Sequence, residues 1–274
     1  MPNEIDKAKE KAVKELSKHI DEMGSAAYAI MLKAIEDVFD IKGGKIVGNK
    51  DFIKQLNKLT VQVLDLLQTT PEFSGAISQF VKRMNPISEA ITDFQKETNG
   101  IKVPDFEVQK KIVIDETIEQ MLGNGLNQNF VQPLRDLIYQ NVTGGLSLSD
   151  ARTAIKDYIQ GGKDVSGKLG RYIEQTAQQS VDSYSGMINK KILDTFKMDT
   201  LLMTGTLIDN SSPQCKFVYN ELDKKLTKEK WPEFEKIAKK NGLIEGTTFE
   251  TMPINLAHWG CRHGWYPIKT KTAA

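Results

Sequence analysis

Two cysteines in 274 residues are too few for a disulfide framework, so the fold has to rest on packing, and a reducing compartment is expected. An excess of one charge is missing too, since 37 Lys and Arg stand against 36 Asp and Glu. Without an overall positive field, any contact with nucleic acid needs a local basic patch, which argues against DNA binding as the main role. Long apolar runs are also absent. The opening residues, MPNEIDKAKEK, are charged where a secretory signal is apolar, and the longest apolar run, Ala26 to Leu32, is too short to span a bilayer. A soluble protein with no membrane partner is the expectation. Nor is there a Walker-type loop, a Rossmann glycine fingerprint, an HExxH or a GxSxG, so the common nucleotide, metalloprotease and serine-hydrolase chemistries have no signature. The glycine pairs at 43-44, 144-145 and 161-162 read as turns and helix ends rather than phosphate cradles.

What the chain does have is helical periodicity. Val13, Leu16, Ile20, Met23, Ala27, Ile30 and Ala34 step by three and four along one stripe. A second row, Phe52, Leu56, Leu59, Val63 and Leu66, follows the turn IKGGKIVGNK, and a third runs Phe73, Ile77, Phe80, Met84, Ile87, Ile91, Phe94. Short rows separated by turns favour an intramolecular bundle over a coiled coil. Pro86 removes a backbone donor and disfavours helix at Asn85, so a kink or break is expected there. His19 lies on the polar side of the first stripe and reads as a surface residue.

The segment Gln95 to Phe106, rich in Asn, Gly and Pro, is the best boundary, giving a bundle over 1–100 and a second domain over 101–274. In the second domain Val108, Ile112, Ile118, Met121, Leu126, Phe130, Leu134 and Leu137 read as one or two helices ending near Gly144. Ser149 stands where a side-chain oxygen caps the helix through Ala151, Ala154, Ile155 and Tyr158. From Lys168 to about Phe196 the inward face is small and polar, which fits close helix packing. From Thr200 the character changes. TLLMTGTLID and GWYPIK read as short strands, with Lys216 to Lys240 helical between them and its lysines interleaved with acids as on a solvated face. The fold class is therefore mainly α: an N-terminal helical bundle, then a helical domain ending in a small α+β region at about 200–268.

Chemistry concentrates near the C-terminus. Both cysteines and two of the three histidines fall there: Cys215 in DNSSPQCKF, then His258, Cys261 and His263 in NLAHWGCRHGW. Thiolate and imidazole both suit zinc, so these four residues are candidate ligands of a structural site pinning two distant segments. Other readings stay open. The cysteines also read as small buried packers with the histidines bonded to carbonyls or Asp209, as a disulfide, or as a nucleophilic Cys with a His base, although no oxyanion-hole signature accompanies the last.

These residues also carry a resemblance. The order GLSLSDARTAI, RYIEQTAQQ, TLIDNSSPQC, HWGCRH and WYPI, covering about 145–268, is similar to the C-terminal domain of phage head morphogenesis proteins, the minor head proteins of the phage-Mu F-like class. Members often end Cys-Arg-Cys where this chain has Cys261, Arg262 and His263, a swap that keeps a metal-ligand type. The resemblance implies a minor capsid protein of a tailed bacteriophage virion, assembled in the host cytoplasm. It would associate with the portal protein or the major capsid protein and act in head morphogenesis or in DNA packaging and exit, with at most weak DNA contact and no small-molecule substrate. It implies no enzyme activity. Trp259, Arg262 and Trp265 are candidate partner contacts, because Trp and Arg are enriched among interface anchors. Two alternatives are a virion cargo protein ejected with the DNA and a metal-dependent hydrolase built on Asp209, His258 and His263.

Overall fold

The apolar rows become helices in a computed structural model that describes residues 2–47, 51–162, 165–258, 261 and 263–269. The chain begins with α1 (Pro2–Ser17) and α2 (Ile20–Val38). A small hairpin follows, β1 (Ile41–Lys42) and β2 (Lys45–Ile46), whose turn places Gly43 and Gly44 at φ of 57° and 71°, a region that favours glycine. Next come α3 (Phe52–Thr69), α4 (Pro71–Lys82) and α5 (Asn85–Asn99). After a stretch without regular structure, α6 (Glu107–Leu122) leads to the short α7 (Asn124–Leu126), one π-helical turn (Asn127–Val131) and α8 (Gln132–Thr143). Then α9 (Leu148–Gln160), a second hairpin of β3 (Gly161–Gly162) and β4 (Val165–Ser166), and α10 (Lys168–Phe196) complete the helical part. The chain ends with β5 (Thr200–Met203), α11 (Pro213–Glu221), β6 (Lys225–Thr227), α12 (Trp231–Lys239), α13 (Met252–Asn255) and β7 (Trp265–Ile268).

The expected class holds: the protein is mainly helical, with a small region of short antiparallel strands at its C-terminal end. The strand order is β6-β5-β7, with Leu201 opposite Leu226 and Pro267, and Met203 opposite Trp265. Three details depart from the sequence reading. β6 interrupts the segment 216–240, where Leu226 is 0% exposed between an exposed Lys225 and a half-buried Thr227, a period of two that the lysines hide. The expected strand TLLMTGTLID stops at Met203, because Gly205 takes φ 95°. The cap of α9 is Ser147, not Ser149: Ser147 Oγ accepts from the Asp150 amide at 3.1 Å and donates to the Asp150 carboxylate at 2.7 Å.

The helical rows are buried with differing accuracy. All seven residues of the third row, Phe73 to Phe94, are at most 3% exposed; the expected break is present at residues 83–84, with Pro86 in the first turn of α5 and Asn85 itself helical. The first row slips, since Met31 and Ile35 are buried rather than Ile30, and in the second row Leu67 replaces Leu66. In α6 the choice of face is wrong. Val108, Ile112 and Ile118 are exposed; of the expected row in this helix Met121 alone is buried, together with Val113 and Thr117, neither of which belongs to that row.

The chain forms two compact units, and neither follows a division at residue 100. The first comprises residues 1–11, 83–113 and 179–274; the second comprises 12–82 and 114–178, so the division falls inside α1, α6 and α10. In the second unit Phe39 and Phe52 lie 5.5 Å apart, Phe52 stacks on Tyr139, and Arg152 pairs with Glu36 at 2.7 Å. In the first unit the sheet is the organising element. Tyr266 meets Phe94 edge-on at 5.6 Å, Trp265 meets Phe234 at 6.1 Å, and the buried Gln95 donates its Nε2 to the Pro267 carbonyl at 3.0 Å. A partly buried ion pair joins Lys9 Nζ to Asp182 at 3.1 Å, and Tyr266 donates its hydroxyl to Asp6 at 3.4 Å. The expected close packing of α10 occurs at Gly186, where an added Cβ would meet the Pro253 carbonyl oxygen of α13 at 2.4 Å.

Candidate metal centre

Cys215 is placed by the start of α11. Ser212 holds the extended backbone that precedes the helix, Pro213 supplies the pre-set φ of its first turn, and Cys215 follows two residues later, fully buried. Beside it Gln214, also buried, turns its Nε2 toward the carbonyls of Asn241 and Ala257 at 3.3 and 3.5 Å. The second half of the site follows α13. Leu256 at φ 62° ends that helix, and the Cys261 amide then donates to the His258 carbonyl at 3.1 Å, a turn that gathers both side chains.

The result is one cluster. Cys215 Sγ lies 3.8 Å from His258 Nε2, and the ligand atoms of Cys215, His258 and Cys261 are all within 4.8 Å of one another. This cluster can hold a metal ion, and its two sulfurs and one imidazole nitrogen are a donor set that suits zinc. Cys261 is held well below the ordinary thiol range by its hydrogen bond with Cys215 and then by His263, while Cys215 is pushed up by the same hydrogen bond and by burial.

His263 is not among the three residues whose ligand atoms group together. Its Nδ1 lies 3.7 Å from Cys261 Sγ, so it faces a ligand sulfur from the side. That contact, then the Thr206 backbone, raises the His263 pKa against the opposing effect of burial. Asp209 is exposed and outside the cluster, its backbone carbonyl accepting from Lys216 Nζ at 3.1 Å. His19 stands just ahead of α2, half-buried, with Nδ1 3.3 Å from Glu22. Trp265 is 1% exposed and therefore is a core residue of β7, not a surface contact; Trp259 and Arg262 lie outside the described residues.

Cys261 and His263 also border a cavity of about 10 Å³, shared with Lys9, Asp182, Asn189 and Trp265. That volume admits a water molecule and no organic substrate, which leaves a nucleophilic Cys261 nothing to attack from this side. Asn189 was not singled out in the sequence, where it is one polar residue within a helical row. Compared with known proteins, the chain matches no family model, no curated protein and no solved structure.

Proposed function

We propose that this chain is a minor head protein of a tailed bacteriophage, docking on the portal or the capsid interior, in which Cys215, His258 and Cys261 hold a structural zinc ion. The observation that supports this reading is convergence. The Ser-Pro-x-Cys and His-x-x-Cys elements that carry the resemblance are 43 residues apart from Cys215 to His258, and they supply all three grouped ligand atoms. A metal there pins α11 to the segment preceding β7, stiffening the small α+β region as a platform for a partner. Binding of this kind stabilises by about 4 kcal/mol when free zinc is about a thousandfold above its Kd.

The experiment is elemental analysis of the purified chain with melting curves before and after chelation, followed by binding to an isolated portal ring and to capsid shells. The expected results are one zinc per chain, a lower melting point after chelation, and retention on the portal or the shell. Absence of metal together with absence of binding overturns the proposal. A second reading, a metal-dependent hydrolase, draws support from the three ligand atoms grouped among the described residues, because catalytic zinc sites use three protein ligands and an open position. It requires loss of turnover in His263→Ala, and a zinc-loaded chain inert toward nucleic acid and peptide substrates counts against it.

A further inference from the structure

Among the described residues, three buried polar atoms on side chains that line the small cavity beside the candidate metal centre have no hydrogen-bond partner. They are Oδ1 of Asn189, Nε2 of His263 and Nε1 of Trp265, on residues 1%, 8% and 1% exposed. Leaving even one such atom buried and unpaired costs about 1 to 3 kcal/mol, so three on one cavity wall are a strong call for a polar occupant. Charge does not enter the choice, because Lys9 and Asp182 on the same wall already neutralise each other at 3.1 Å.

We propose that this cavity is an internal hydration site that binds one water molecule between α10 and β7. The water accepts from the Trp265 indole N–H, donates to the Asn189 carbonyl, and makes its third bond to His263 Nε2. Size and chemistry both agree: a bound water needs roughly 10 to 15 Å³ and two to four polar partners, and the cavity is about 10 Å³ with three. Water also suits either state of the ring, donating to a neutral Nε2 and accepting from a protonated one. It thereby holds the imidazole with Nδ1 toward Cys261 Sγ, so Asn189 and Trp265 act as positioning residues for the side chain beside the metal centre.

The test is water-selective NOE and ROE spectroscopy on the ¹⁵N-labelled full chain, with the Trp265 indole resonance assigned by its loss in Trp265→Phe. A dipolar cross-peak from that indole proton to water is expected, of opposite sign in the two experiments and present with or without added zinc. Asn189→Leu should abolish it and Asn189→Asp should keep it. A wild-type chain with no dipolar cross-peak, or a cross-peak unchanged in Asn189→Leu, overturns the assignment. If Asn189→Leu does not fold, the wild-type and Asn189→Asp spectra decide alone. Because the readout does not depend on metal, failure of the zinc reading leaves it intact.

Discussion

Replacing Gly186 by Ala tests the packing that places the candidate metal centre. The new Cβ would stand 2.4 Å from the Pro253 carbonyl oxygen and 3.0 Å from Ile254 Cα. An ordinary carbon-to-oxygen approach is about 3.3 Å, so the overlap is about 0.9 Å, and both sides of it are backbone. Neither can rotate away, so α13 has to move, and overpacking of this kind costs about 1 to 3 kcal/mol. Against that, Ala is the better helix former by up to about 1 kcal/mol. The net expectation is a loss of about 1 to 2 kcal/mol. Gly75 in α4 is the matched control, since a Cβ there meets nothing within 4 Å and Gly75→Ala should gain about 0.5 to 1 kcal/mol. Urea denaturation followed by far-UV circular dichroism measures both. Zinc affinity should fall only in Gly186→Ala, because His258 follows α13 by three residues. If both variants gain stability equally, the close approach of α10 and α13 is refuted.

Further predictions concern buried polar groups and a helix cap. Among the described residues the buried Tyr158 hydroxyl has no partner, and burial pushes its pKa up to about 12. A folded-state value above the ordinary one gives stability that is complete below about pH 10 and lost as pH climbs to about 12. Tyr158→Phe should therefore be neutral or stabilising at pH 7 and should flatten the alkaline loss in urea titrations; a cost above about 1 kcal/mol at pH 7 shows that the hydroxyl has a partner. Lys9→Met removes the cation 3.1 Å from Asp182 and should destabilise by about 2 to 3 kcal/mol, less than for a fully buried pair because Asp182 is 30% exposed. Adding Asp182→Leu should recover most of that loss, and a simple sum of the two single effects argues against coupling. Ser147→Ala should cost about 1 kcal/mol through the lost cap on α9, measured as a lower melting temperature, whereas Ser149→Ala should change little.

Several of these sites were visible in the sequence and several were not, for physical reasons. The row from Phe73 to Phe94 is fully legible because its large residues recur without a competing face. α6 misleads because Val108, Ile112 and Ile118 form an apolar row of their own that is left exposed, while the buried face includes the polar Thr117. The candidate ligands Cys215, His258 and Cys261 are legible from residue type alone, since thiols and imidazoles are scarce here. The role of His263 is not, because spacing does not tell a ligand from a ring that faces a ligand's sulfur. Two compact units built from interleaved segments leave no compositional trace, as contacts between residues far apart in sequence define them.

That interleaving sets an order of events during synthesis. The unit comprising residues 12–82 and 114–178 has all its parts once residue 178 has left the ribosome. The other unit waits. Lys9 finds Asp182 only after α10 has emerged, and Asp6 finds Tyr266 only when the last strand has been made. Residues 1–11 thus wait for residues 179–274 before their unit, in which Ile5 is 0% exposed, has all its parts. A stalled or truncated product lacking β7 would leave Asp6 without Tyr266 and this unit incomplete, a state that chaperones and proteases act on.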